Sequence, residues 1–136
     1  MATIHPYLNF NGTAEKAFRF YESVFGGELY IQKMKDVPGT ENIPEQDHVM
    51  HASLKIGNNL LMASDILESA GHKLQEGNNY YISYEPDNRA EADRIFTALA
   101  EGGKIETPME DMFWGAYFGS VQDQYGIRWM INCTQK

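Results

Sequence analysis

Cysteine is almost missing from this chain of 136 residues, since Cys133 is the only one. A lone thiol excludes an internal disulfide and any multi-cysteine zinc site. Basic side chains are also scarce, 11 Lys and Arg against 19 Asp and Glu, for a formal charge of −8. Without a basic cluster the chain is not expected to bind nucleic acid or an anionic membrane surface. No apolar run approaches about 18 residues, so no segment is expected to span a bilayer. Residues Met1 to His5 lack the basic region and apolar stretch of a secretory signal, so the expected location is the cytoplasm. The motifs G-x-x-x-x-G-K-[ST], G-x-G-x-x-G after a strand, G-x-S-x-G and H-E-x-x-H do not occur. What is plentiful is apolar side chain, 43% hydrophobic and 12% aromatic, enough for a core and against disorder. The length suits one compact domain or two fused half-size units.

Two amphipathic helices are legible. Ala14, Ala17, Phe18, Tyr21 and Phe25 form one stripe and predict a helix from Ala14 to Phe25. Asn11 or Thr13 would cap it and Gly26-Gly27 would end it. Ala92, Ile95, Phe96 and Leu99 predict a second helix, Arg89 to Glu101, with Asn88 and Glu91 as a capping box and Gly102-Gly103 as its end. One strand-like run precedes each helix and three follow it. In the first half these are Thr3–Phe10, then Glu28–Met34, His48–Ile56 and Leu60–Asp65. In the second they are Asn79–Glu85, then Lys104–Met109, Ala116–Gln122 and Ile127–Cys133. An offset of 76 residues superposes Ala14 on Ala90, Phe20 on Phe96 and Gly26-Gly27 on Gly102-Gly103.

The expected fold is α+β, with paired βαβββ modules forming a curved, partly closed mixed sheet and helices on its convex side. Residues 1–136 would be a single domain, module one about 1–66, linker about 67–78 and module two about 79–136. One module alone buries too little surface to be stable, so two are needed. Strand alternation sends Ile4, Pro6, Leu8 and Phe10 toward the helix and His5, Tyr7 and Asn9 to the concave side. It likewise sets Met50, Ala52, Leu54 and Ile56 against His51, Ser53 and Lys55, and Tyr80, Ile82 and Tyr84 against Tyr81 and Ser83. On the last strand Ile127, Trp129 and Ile131 pack, and Arg128, Met130 and Asn132 face the hollow. A slip of one residue would exchange the two sides. The loop Lys35–Asp47, with Pro38, Gly39 and Pro44, is expected to be irregular. Glu110–Gly115 carries Phe113 and Trp114, which either cover a ligand or partner chain or fold onto their own core.

Certain of these runs resemble a known family. They are His5-Pro6-Tyr7-Leu8-Asn9-Phe10-Asn11-Gly12, the Ala17-Phe18-x-Phe20-Tyr21 run ending in Phe25-Gly26-Gly27, Met50-His51-Ala52, Leu61-Met62-Ala63-Ser64-Asp65, and Phe113-Trp114-Gly115 through Trp129. The chain is similar over its whole length to the PhnB-like branch, also called demethylubiquinone methyltransferase-like, of the vicinal oxygen chelate superfamily. That superfamily includes glyoxalase I, bleomycin and fosfomycin resistance proteins and extradiol dioxygenases. The resemblance implies paired βαβββ modules around a cavity and a homodimer; it does not by itself imply an activity. In metal-dependent members the ion is held from the first and last strands of each module. Those positions fall here at His5, at about Leu61 to Ala63, at Tyr81 or Tyr80, and at Met130. Only His5 is a competent ligand, because a protonated phenol and a thioether suit divalent ions poorly. A divalent metal is therefore not the favoured cofactor.

The favoured reading is a small-molecule binding protein of the glyoxalase and bleomycin-resistance type. Its concave pocket would be lined by His5, Tyr7, His51, Tyr81, Trp114, Arg128 and Met130. His5 and His51 offer near-neutral imidazoles, and a carboxylate such as Asp65 or Glu85 would have to join them to hold a metal. Tyr7 and Tyr81 could orient a ligand, Trp114 could cover it, and Arg128 could pair with an anionic group. His48 and His72 read as solvated loop residues, and Cys133 as a buried thiol without an activating base. The alternative is a metal-dependent lyase, isomerase or dioxygenase using His5 as a ligand. A methyltransferase would need a cofactor site on a parallel sheet with a Gly-rich loop, which this element order does not supply.

Overall fold

The computed structural model describes residues 2–134 and divides at Gln75/Glu76 into two compact units. The first carries β1 (Tyr7–Phe10), α1 (Ala14–Phe25), β2 (Glu28–Lys33), β3 (Val49–Ile56) and β4 (Asn59–Asp65). The second carries β5 (Ile82–Tyr84), α2 (Arg89–Ala100), β6 (Lys104–Asp111), β7 (Tyr117–Gln122) and β8 (Arg128–Cys133). Each unit is thus a βαβββ module. Its sheet is mixed and open, in the order β1-β4-β3-β2 or β5-β8-β7-β6. The outer pair β1–β4, and likewise β5–β8, is parallel; the remaining pairs are antiparallel. The fold is α+β.

Each helix covers one face of its own sheet. Ala14, Ala17, Phe18, Tyr21 and Val24 of α1 are buried, as are Leu8, Phe10, Ala52, Leu54, Leu61 and Ala63 of the strands. Phe18 meets Phe10 and Tyr21 edge-on at ring distances of 6.5 and 5.5 Å. In the second unit Ala92, Ile95, Phe96 and Leu99 of α2 are buried along with Val121, Trp129 and Ile131. Two glycines allow the chain to leave each helix close to the sheet. A Cβ on Gly27 would stand 2.3 Å from the Lys55 carbonyl oxygen, and one on Gly103 would stand 2.2 Å from that of Gln122. Backbone approach, rather than turn flexibility alone, is what these positions require.

Several local expectations are corrected. The first strand begins at Tyr7 rather than Thr3, and Ile4 is 97% exposed instead of facing a helix. Pro6 has no N–H for a ladder, although its carbonyl accepts from the Met62 N–H at 3.1 Å. Met50 does not pack: it is 44% exposed, while Val49 is buried. Lys33 pairs with Val49 and Gln32 with His51, so Met50 is the extra residue of a β-bulge, which reverses the side it faces. Tyr80 lies before the short β5 and is also exposed. Phe25 is only half-buried, with Val24 taking its place in the stripe. β6 runs on through Asp111, leaving a compact turn in which Met112 and Gly115 amides bond to the Ala116 and Met112 carbonyls.

The helix caps differ between the units. Asn88 Oδ1 accepts from the Glu91 N–H at 2.8 Å, but the Glu91 carboxylate turns to Arg94 instead of closing a box. At α1 neither Asn11 nor Thr13 supplies a side-chain cap. Asp65, at the far end of β4, does so instead: Oδ1 accepts from Gly12 and Ala14 at 2.8 and 3.1 Å, and Oδ2 from Val49 at 2.8 Å.

Candidate functional site

In each unit the sheet face turned away from the helix is the candidate surface. On the first sheet, Tyr7 pairs with Met62 and Met62 with Ser53, so residues of β1, β4 and β3 stand side by side. The rings of Tyr7 and His51 lie 6.0 Å apart at a tilt of 38°. His5, half-buried, precedes the strand rather than belonging to its ladder. Met62 is the member of Leu61 to Ala63 on this face, because its two neighbours are buried.

On the second sheet, Met130 pairs with Ser83 and Ser120, and Arg128 and Asn132 flank it along β8. Tyr81 donates its hydroxyl to Glu106 Oε1 at 2.8 Å, and Glu106 Oε2 accepts from Arg128 Nη2. The Arg128 guanidinium carbon lies 5.8 Å from the Tyr81 ring centre. Tyr81, Arg128 and Glu106 therefore form one connected group, with Met130 beside Arg128 on the strand. Glu106 is a residue that sequence reasoning missed. Ile105 pairs with Val121 and Thr107 with Ser120, leaving Glu106 as the extra residue of a bulge, and no local pattern announces such an insertion.

Trp114 sits in the β6–β7 turn, 56% exposed, with its ring 6.0 Å from Phe118 and 5.1 Å from Phe113, which is itself 97% exposed. Phe118 pairs with Asn132, so Trp114 stands at the end of the same sheet face as Met130. The two aromatics do not fold into the core. His48 is not simply solvated: it is half-buried, with Nδ1 3.1 Å from the Ile66 carbonyl oxygen. His72 is exposed, and its Nδ1 accepts from the Leu67 N–H at 3.2 Å.

The donor set does not fit a divalent ion. The positions implied by the family resemblance are His5 and about Leu61 to Ala63 in the first unit, of which Met62 is on the open face, and Tyr81 or Tyr80 and Met130 in the second. Thioethers are soft donors, and the Tyr81 hydroxyl is engaged in donating to Glu106 Oε1. Burial pushes the Tyr80 phenol above its ordinary value, so this neighbour is no better. Asp65 cannot serve either, since both its oxygens accept from backbone amides. Among the described residues no three of His, Cys, Asp and Glu come together in a metal-binding group. A second buried carboxylate, Asp123, is similarly engaged: it accepts from Tyr125 and Ile127 amides at 2.8 and 3.1 Å and from Trp129 Nε1 at 2.8 Å.

Two βαβββ modules, each with an open mixed sheet and one helix, are the fold that this chain shares with fosfomycin resistance and glyoxalase-related proteins. The chain belongs to the 3-demethylubiquinone-9 3-methyltransferase family, whose profile matches residues 2–132. A curated relative, protein YjdN of Escherichia coli strain K12, is 31% identical and aligns over 98% of this chain and 96% of its own. Protein PA1353 of Pseudomonas aeruginosa superposes over 100% of both chains at a TM-score of 0.92 and 39% identity. The PhnB protein of Bacillus cereus does so at 0.79 and 26% identity, over 97% of this chain and 99% of its own. The fold alone extends to the fosfomycin resistance protein FosX of Mesorhizobium loti, with a TM-score of 0.63 and 18% identity over 99% of this chain and 92% of that one. The family's description names a methyl transfer. Each sheet here has a single parallel pair and no Gly-rich strand-to-helix turn among the described residues, which does not fit a nucleotide-type cofactor site of the doubly wound kind.

Proposed function

We propose that this protein binds a small, partly apolar molecule and holds it without converting it, in the manner of bleomycin-resistance-type proteins. Each unit offers its own helix-free sheet face as a candidate surface, with His5, Tyr7 and His51 in the first and Tyr81, Trp114, Arg128 and Met130 in the second. The observation that carries this reading is the Tyr7–His51 ring pair beside Met62, on a sheet face that α1 leaves uncovered. An aromatic pair beside a thioether presents flat apolar surface with polar edges, which is the usual composition of a small-molecule site. The same reading takes residues 1–136 as a single domain of two modules, working as a cytoplasmic homodimer. Among the described residues no helix is long and apolar enough to cross a membrane.

The test is a thermal-shift and ¹H–¹⁵N NMR screen with aromatic, thiol-conjugate and phosphonate compounds, followed by mass analysis of the recovered ligand. Binding should shift the Tyr7 and His51 signals, weaken in His51→Ala, and return the compound unchanged. A recovered product would overturn the binding-only reading. So would a stoichiometric divalent metal in protein purified without chelator and lost in His5→Ala, which would establish the metal-dependent lyase, isomerase or dioxygenase instead. Light scattering at micromolar concentration should give a dimer mass; a monomer would refute that part.

A further inference from the structure

We infer that Glu106 sets the charge class of the molecule taken by the second sheet: a neutral ligand with a hydrogen-bond acceptor and a donor, rather than an anion. This rests on the ligand-binding reading and narrows it. Arg128 alone, on a sheet face beside Tyr81 and Met130, would be a receptor for carboxylate or phosphate. The bulge in β6 changes that by inserting Glu106 between Ile105 and Thr107, where its carboxylate reaches Arg128 Nη2 with one oxygen and the Tyr81 hydroxyl with the other. Both oxygens are occupied and the cluster's charge is neutralised. The pair is shielded, with only 13% of the Arg128 side chain and 25% of that of Glu106 exposed. An incoming anion would have to compete with Glu106 for the Arg128 guanidinium and, on displacing it, would remove the acceptor of Tyr81.

What the pair leaves over is specific. Arg128 Nε is buried and its N–H meets no acceptor, and Asn132 Oδ1, on the same face of β8, is buried and meets no donor. Buried polar atoms are normally satisfied, so an unmet donor and an unmet acceptor in one row, with Met130 between them, mark where a ligand's polar atoms belong. Residues four apart on a strand have Cα atoms about 13 Å apart, a span that a two-ring molecule bridges when it carries a hydrogen-bonding group at each end. A molecule that offers a carbonyl or ether oxygen to Arg128 Nε–H and a hydroxyl or amide N–H to Asn132, and lays an apolar ring on Met130, answers all three.

The matched probes are 6-hydroxy-2-naphthamide and 6-hydroxy-2-naphthoate, which share shape, carry polar groups at both ends of the ring system and differ in charge. The readout is chemical-shift titration of the Arg128 Nε–H and Asn132 side-chain signals in the intact protein. Wild type should bind the amide about tenfold or more tightly than the carboxylate. Glu106→Gln, which keeps an acceptor for Tyr81 but removes the charge, should reverse that order. It should also confer a saturable response of Arg128 Nε–H to inorganic phosphate that wild type lacks. Glu106→Asp should retain the neutral preference and controls for folding. Preference for the carboxylate in wild type, or an unchanged ratio in Glu106→Gln, overturns the inference even if compounds still shift Tyr7 and His51. Silence at Tyr7, His51, Arg128 and Asn132 alike overturns the binding reading itself.

Discussion

Asp65→Ala is expected to destabilise the first module by about 2–5 kcal/mol, through three buried or part-buried backbone amides and not through any contact with solvent or ligand. The Gly12, Ala14 and Val49 amides lie 2.8, 3.1 and 2.8 Å from its carboxylate oxygens, the first two at the start of α1 and the third at the start of β3. Losing a helix cap alone costs about 1 kcal/mol, and losing a negative charge at a helix N-terminus about 0.3–1 kcal/mol more. The buried Val49 amide adds the desolvation of an unmet donor, about 1–3 kcal/mol. Asp65→Asn is the discriminating control. Its remaining oxygen can still serve Gly12 and Ala14, while its NH₂ group faces the Val49 N–H, so the loss should be about half as large. Urea unfolding gives the free energies, and amide hydrogen exchange locates them. Protection at Ala14 and Val49 should fall together in the Ala variant, while Ile95 and Leu99 of α2 keep theirs. A loss below about 1 kcal/mol in Asp65→Ala, with both amides still protected, would refute the assignment of Asp65 as the cap.

Three further expectations follow from named contacts. Gly103→Ala should destabilise by about 3 kcal/mol, because its Cβ would meet the Gln122 carbonyl oxygen, whereas Gly115→Ala, at φ +94 with open space around it, should lose only about 1–2 kcal/mol; equal urea midpoints would contradict this. Trp129→Phe removes a buried donor from Asp123 and should lose about 1–3 kcal/mol by thermal melting, with an unchanged midpoint counting against the bond. Glu45 accepts from the Ser69 amide and hydroxyl, and these bonds hold its carboxyl below the ordinary 4.5. A depressed carboxyl stabilises above the unfolded value and loses that contribution as pH falls through the folded one. The Ser69 amide should therefore lose protection, measured against its intrinsic exchange rate at each pH, only below pH 4.5, and an onset at higher pH would be the wrong sign.

The helices were legible almost to the residue because their cause is local. Ala14–Phe25 matches the expected span, and α2 stops one residue short of Glu101. The facings of β8 were equally legible, since Ile131 and Trp129 alternate with Arg128 and Met130 without interruption. Met50 and Glu106 were not. Each is the extra residue of a bulge, and a bulge is defined by what lies on the partner strand. The start of β1 was misjudged for a related reason: alternation continues back to Ile4, but the ladder does not.

By itself the sequence determined the α+β class, the doubled βαβββ order and the apolar stripes, because hydrophobic periodicity and glycine punctuation act over a few neighbouring residues. Tertiary structure alone decided that Asp65 caps a helix more than fifty residues away in the chain, as its bonds to Ala14 and Gly12 span 51 and 53 positions. It alone decided that Arg128 is answered by Glu106, 22 positions earlier. Those pairings depend on sheet register, and register is fixed by the burial of whole strands, which no short window of sequence contains.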